Sequence, residues 1–196
     1  MRPHLDQTLS RMRVAFNRHL AVGLKSGLPM QILASVLHYG PTAVGNYGMV
    51  LCLCAEGAEA RLNQLQTDWC KELMFIRSLP QGVRFALLAE CGQSRRLGTQ
   101  MLAAAIMLEA RVLLLAVDMP PRLILESARA ALFPSWAKEV IKMRSTLGIP
   151  DLLEHLGSME VDRARKDNNI RERDLVHYRK NIVDRSLDRY DQSAFT

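Results

Sequence analysis

Met101 to Val117, MLAAAIMLEARVLLLAV, is the longest nearly unbroken apolar run in the chain, and it narrows the folds open to it. Interrupted by Glu109 and Arg111, it is too short to cross a bilayer, which takes about 20 apolar residues. A helix apolar on nearly all sides belongs among other helices. Gly98 precedes it, and Asp118-Met119-Pro120-Pro121 follows, where two prolines cannot continue a helix. A central buried helix over about 99–117 is therefore expected.

The flanking sequence supplies shorter helices. Leu5, Leu9, Met12, Phe16 and Leu20 fall at steps of three and four and predict one amphipathic helix. Gly23, Gly27 and Pro29 stop it. Met30–Tyr39 reads as a short helix ending at Gly40-Pro41, with Pro41-Thr42 opening the next. Within 41–56, Gly45, Gly48 and the run Met49–Cys54 pull towards strand or loop. Helix is favoured, because an isolated strand needs a partner and no second segment of similar quality exists. Leu62, Leu65, Trp69, Leu73 and Ile76 mark a helix over 58–79, and Val83–Cys91 a short one. Arg122–Leu132 is amphipathic. Ser135 is a good N-cap for Trp136–Leu147, and Asp151 for DLLEHL. The expected fold is all-α: an irregular bundle of about eight short helices around the apolar one.

After Gly157 the chain changes character. Residues 158–196 carry nine Lys/Arg against eight Asp/Glu, and apolar residues thin to a narrow stripe that includes Ile170, Leu175, Ile182 and Leu187. Asp162–Lys166 and Asp167–Arg171 are favourable i,i+4 pairs, whereas Asp184–Asp188 and Arg185–Arg189 are like-charge pairs that oppose helix. The organisation expected is a helical globular domain over 1–157 and a charged helical extension over 158–196. A partner chain docking on that extension would use Ile170, Leu175, Tyr178, Ile182, Leu187 and Tyr190.

The formal charge of +6 is unevenly spread. Residues 1–30 hold Arg2, Arg11, Arg13, Arg18 and Lys25 against Asp6 alone. A nucleic-acid-binding surface would draw on Arg11, Arg13, Arg18, Arg77, Arg84, Arg95 and Arg96, although the chain lacks the dense cationic stripe such binding uses. A helix-turn-helix over 30–52 fails on its second helix, which offers Asn46 and Tyr47 but no cation.

Cys52, Cys54, Cys70 and Cys91 form no Cys-x-x-Cys pair, so they read as reduced, packed thiols of a cytoplasmic protein. Asp151/His155 and Asp174/His177 share helical faces but lack the inward glutamates of a dinuclear site, so no metal and no cofactor is expected. Phosphate-binding loops, nucleophile elbows and HExxH are absent from the sequence, which leans away from an enzyme. Glu109 and Arg111, two residues apart on the apolar helix, point in different directions and must each find a partner or reach solvent. They are the candidate groove. The function expected is a non-catalytic interaction protein (adaptor, assembly subunit or regulator) with a protein partner or a second copy of itself. The alternatives are a nucleic-acid-binding regulator and a ligand-binding or enzymatic bundle.

Overall fold

The structure, a computed structural model, describes residues 2–77, 91 and 95–193. Among them no strand occurs: the chain is all-helical. It divides into two compact units, Met1–Met101 and Leu102–Ala194.

In the first unit, α1 (Arg2–Lys25) and α2 (Met30–Met49) form a hairpin, followed by a 3-10 turn (Val50–Cys54) and α3 (Ala58–Leu73). The apolar face of α1 is buried as its spacing requires, with Leu5, Met12 and Phe16 inside. Phe16 stacks on Trp69 of α3 at 5.1 Å between ring centroids. The glycines that made 41–56 ambiguous bring the two hairpin helices together. A Cβ on Gly45 would stand 2.4 Å from Met12 Sδ, and one on Gly48 2.5 Å from Thr8 Oγ1. These glycines let the helix backbones approach, and the segment is helical up to the 3-10 turn.

Pro41 does not end a helix but lies inside α2. Proline removes one backbone donor and normally clashes with the residue before it. Here that residue is Gly40, which has no Cβ to clash, and close packing of α2 on α1 carries the helix through. Helix α3 ends at Leu73, short of the expected 79, in a turn where Phe75 adopts φ 54°. The short helix expected over Val83–Cys91 lies outside the described residues, apart from Cys91.

Helix α4 (Leu97–Leu113) is the apolar element of the sequence. Its first turn is reached by side chains of α3: Asn63 and Gln66 accept from Gly98 N and Leu97 N at 2.8 Å each. Its end comes four residues before Val117, where buried Arg122 donates to the Leu113 carbonyl.

In the second unit, α5 (Pro120–Ala130) places both prolines in its first turn, where no N–H is needed. It packs on α6 (Trp136–Thr146) around Leu113, Leu125 and Ala137. Ser135 caps α6 by accepting from Lys138 N, and Asp151 with Glu154 forms a capping box on α7 (Leu152–Leu156). The chain continues through α8 (Ser158–Lys166), α9 (Asn168–Tyr178), a π turn (Arg179–Val183) and α10 (Asp184–Ser193).

Two expected ion pairs are replaced here. Asp162 reaches Arg165 at 3.7 Å rather than Lys166, and Asp167 caps α9 by accepting from Asn169 N. Arg171 donates instead to the carbonyls of Ala164 and Arg165. The like-charge pairs do not prevent α10, whose Leu187 is fully buried.

Candidate functional site

Glu109 is 2% exposed, and both its carboxylate oxygens face arginines. Oε1 accepts from Arg129 at 2.7 Å, and Oε2 lies 3.0 Å from Arg144 Nε, an ion pair whose N–H is not aligned for a hydrogen bond. Both guanidiniums also reach Asp151 Oδ2, at 3.0 and 2.9 Å, while Asp151 Oδ1 accepts from Leu153 N. Four helices meet at this point: Glu109 on α4, Arg129 at the end of α5, Arg144 at the end of α6, and Asp151 as the cap of α7. The arginines lie in last turns and the aspartate at a helix start, each favoured by the local helix dipole.

Two acids balance two bases, so the cluster is neutral. Burial works against the charge of Arg129, but Glu109 and Asp151 more than restore it, and its pKa is raised. Nearby, Tyr178 donates to the Pro150 carbonyl at 2.7 Å, and burial pushes its phenol well above the ordinary range. With each carboxylate in contact with both arginines, the cluster has the chemistry of a structural clamp. Arg111, by contrast, stands exposed on the same helix, and the structure does not bring it to Glu109.

The remaining sequence candidates separate. Arg11 and Arg18 are exposed along α1, and Arg77 is exposed after α3. Arg13 is tied to Asp68 at 3.6 Å, Arg95 and Arg96 are half-buried, and Arg96 lies 4.0 Å from Glu59. Arg84 lies outside the described residues. Between α1 and α3 runs an open groove of about 450 Å³ floored by Leu9 and Leu65. Its charges cancel internally, through Arg61–Asp6 at 2.6 Å and Arg13–Asp68. The arginines therefore do not add up to one basic surface.

Along the charged extension, Leu175, Tyr178 and Leu187 are buried within the chain, and Ile170, Ile182 and Tyr190 are half-buried. The stripe offered as a partner surface is thus largely spent on the chain's own core. Its irregular spacing has a cause: the step of five from Tyr178 to buried Val183 spans the π turn, which inserts one residue per turn. The two histidines of the carboxylate–His pairs do meet, His155 stacking on His177 at 6.1 Å between ring centroids. Their carboxylates go elsewhere, Asp151 to the arginines and Asp174 to Arg173 at 3.2 Å. The four cysteines are free thiols, and Cys70 is held protonated by its hydrogen bond with Cys91 and by burial.

Sequence reasoning missed one feature. Leu132 is wholly exposed and Phe133 is 70% exposed in the link from α5 to α6, while Leu123 and Ile124 stand out from α5. The signal was present in LILESARAALF, whose apolar residues are too many for the single inward stripe of so short a helix. Comparison with known proteins returned no match to a protein family, to a curated protein or to a solved structure.

Proposed function

We propose that this chain is a non-catalytic interaction protein, an adaptor, assembly subunit or regulator of a cytoplasmic compartment. Its contact surface is the apolar corner made by α5 and the link that follows. The observation that carries the reading is the exposure of Leu132 and Phe133 beside Leu123 and Ile124. Single exposed apolar residues are ordinary on a surface, but four large ones exposed within the stretch 123–133 exceed that. Aromatic side chains are enriched where proteins meet, and Phe133 supplies one here. The buried cluster around Glu109 serves this surface indirectly, because Arg129 fixes the end of α5 from which Leu132 projects.

The test is a Leu132→Asp/Phe133→Ser double variant, compared with the wild type for self-association by light scattering and for retention of a defined protein partner by quantitative pull-down. Both side chains are exposed, so the fold should survive, as circular dichroism can verify. Each anchor contributes about 2 kcal/mol when buried, so binding should weaken by 100-fold or more, in order of magnitude. An unchanged mass and an unchanged set of captured proteins would remove the surface from consideration. Truncation after Gly157 is the poorer experiment, because it strips Tyr178 and Leu187 from the core of the second unit.

A further inference from the structure

The first unit carries a different surface, independent of the reading above. From Gln7 to Ala55 the chain contains no Asp or Glu, so nearly all of the α1–α2 hairpin lacks acids. Arg11, Arg18 and Lys25 recur at seven-residue intervals along α1, exposed and on one side. The hairpin tip gathers Val22, Leu24, Leu28, Met30 and Ile32, each between 37% and 59% exposed.

We propose that this tip, residues 22–32, docks on the surface of an anionic lipid bilayer. The apolar side chains enter the headgroup boundary, and Lys25 and Arg18 reach lipid phosphates and carboxylates.

Three observations favour lipid over a protein groove. The apolar residues belong to both helices and to the turn between them, a protrusion that a deformable interface surrounds more readily than a rigid face does. Arg11, Arg18 and Lys25 also stand exposed in a stretch, Gln7 to Ala55, that holds no acid of its own. Three donors of the turn are also paired within it. Leu28 N donates to Gly23 O at 3.0 Å, Gly27 N to Leu24 O at 3.1 Å and Ser26 N to Val22 O at 2.9 Å, while Pro29 has no N–H. Gly27, at φ +63°, supplies the left-handed residue that this closure requires. The uncapped N–H groups at the start of α2 remain available to lipid phosphates and water at the headgroup level. No described helix is long and apolar enough to cross a membrane, and the attachment is peripheral.

The experiment is vesicle flotation with the full chain, using phosphatidylcholine alone and phosphatidylcholine mixed with phosphatidylserine, at low and high salt. Binding should appear only with phosphatidylserine and should fall as salt rises. Arg18→Gln/Lys25→Gln should lower partitioning about 30-fold, and Val22→Ser/Leu28→Ser about tenfold. Fluorescence from Leu28→Trp should shift to the blue on the mixed vesicles and be quenched by brominated lipid tails. Circular dichroism reports whether each variant folds. Leu132→Asp/Phe133→Ser should bind vesicles as the wild type does, which separates this result from the protein-contact reading. Binding to neither vesicle, equal binding to both, or indifference to the charge substitutions would overturn the proposal. So would tip variants that abolish a dimer or a protein complex while vesicles stay unbound.

Discussion

Glu109→Gln tests the second unit where its energetics are steepest. The substitution keeps the shape of the side chain and removes one charge from a cluster in which two carboxylates balance two guanidiniums. Arg129 and Arg144, at 2.7 and 3.0 Å from Glu109, would then share Asp151 alone, leaving one surplus positive charge. A unit-charge pair at such distances is worth about 5 kcal/mol before desolvation at an effective dielectric of about 20. Much of that is returned by the cost of burying the ions. What remains on breaking a buried pair is about 3–5 kcal/mol, because the unpaired charge stays in the interior. The Glu109 side chain is 2% exposed and that of Arg144 9%, so water cannot relieve it without local opening.

The assay is urea unfolding followed by tryptophan fluorescence. Trp69 lies in the first unit and Trp136 in the second, so a Trp69→Phe background leaves a single reporter close to the cluster. Glu109→Gln should shift the Trp136 transition by about 3–5 kcal/mol, whereas Arg111→Gln, exposed and two residues away, should move it by less than about 0.5 kcal/mol. Adding Arg144→Met to Glu109→Gln should recover part of the loss, since it removes the orphaned charge. A loss below about 1 kcal/mol for Glu109→Gln, or no recovery in the double variant, would refute the reading of a buried, mutually compensating network.

Two further measurements bear on the packing. Gly98→Ala sets a helix-propensity gain of about 0.5–1 kcal/mol against a steric cost of about 1–3 kcal/mol. The new Cβ would stand 2.3 Å from Glu59 Cγ, 2.9 Å from Asn63 Oδ1 and 3.0 Å from the Glu59 carbonyl, so the variant should be less stable by thermal melting, and a rise in Tm would contradict the contact. Tyr178→Phe addresses pH. Because the folded phenol is held above its ordinary value, the unfolded chain loses that proton first; stability is whole below about pH 10 and falls by about 1.4 kcal/mol per unit above it. Removing the hydroxyl should cost about 1–3 kcal/mol at neutral pH and flatten the alkaline limb by that slope, and an unchanged limb would count against the burial.

Periodicity and breakers made much of the fold legible. Steps of three and four located α1 and α3, the Ser135 and Asp151 caps were read from residue type, and the apolar run became α4. These features depend on neighbours within a turn or two, where backbone geometry leaves few options. The errors lie where distant residues intervene. Pro41 and Gly40 read as a stop because α1 is invisible from their local sequence. At 45 and 48 the favoured helix is present, and the glycines that pulled against it serve a close approach to Met12 and Thr8. The C-terminal apolar residues read as a narrow stripe rather than a core face because one π turn shifts their phase between Tyr178 and Val183.

The interaction surfaces divide the same way. Composition and spacing alone gave a helical protein with a buried axis, a basic first helix, and a Glu109 that must find a partner or reach solvent. Which side chains supply that partner, Arg129 and Arg144 from two other helices, was decided only by tertiary structure. So was the fate of each exposed candidate: Arg13 is cancelled by Asp68 and Tyr178 is bonded to Pro150, while Leu132 and the hairpin tip stay uncovered. The physical reason is range. Helix formation is settled by residues three and four apart, whereas ion pairing, burial and exposure depend on groups brought together from distant parts of the sequence.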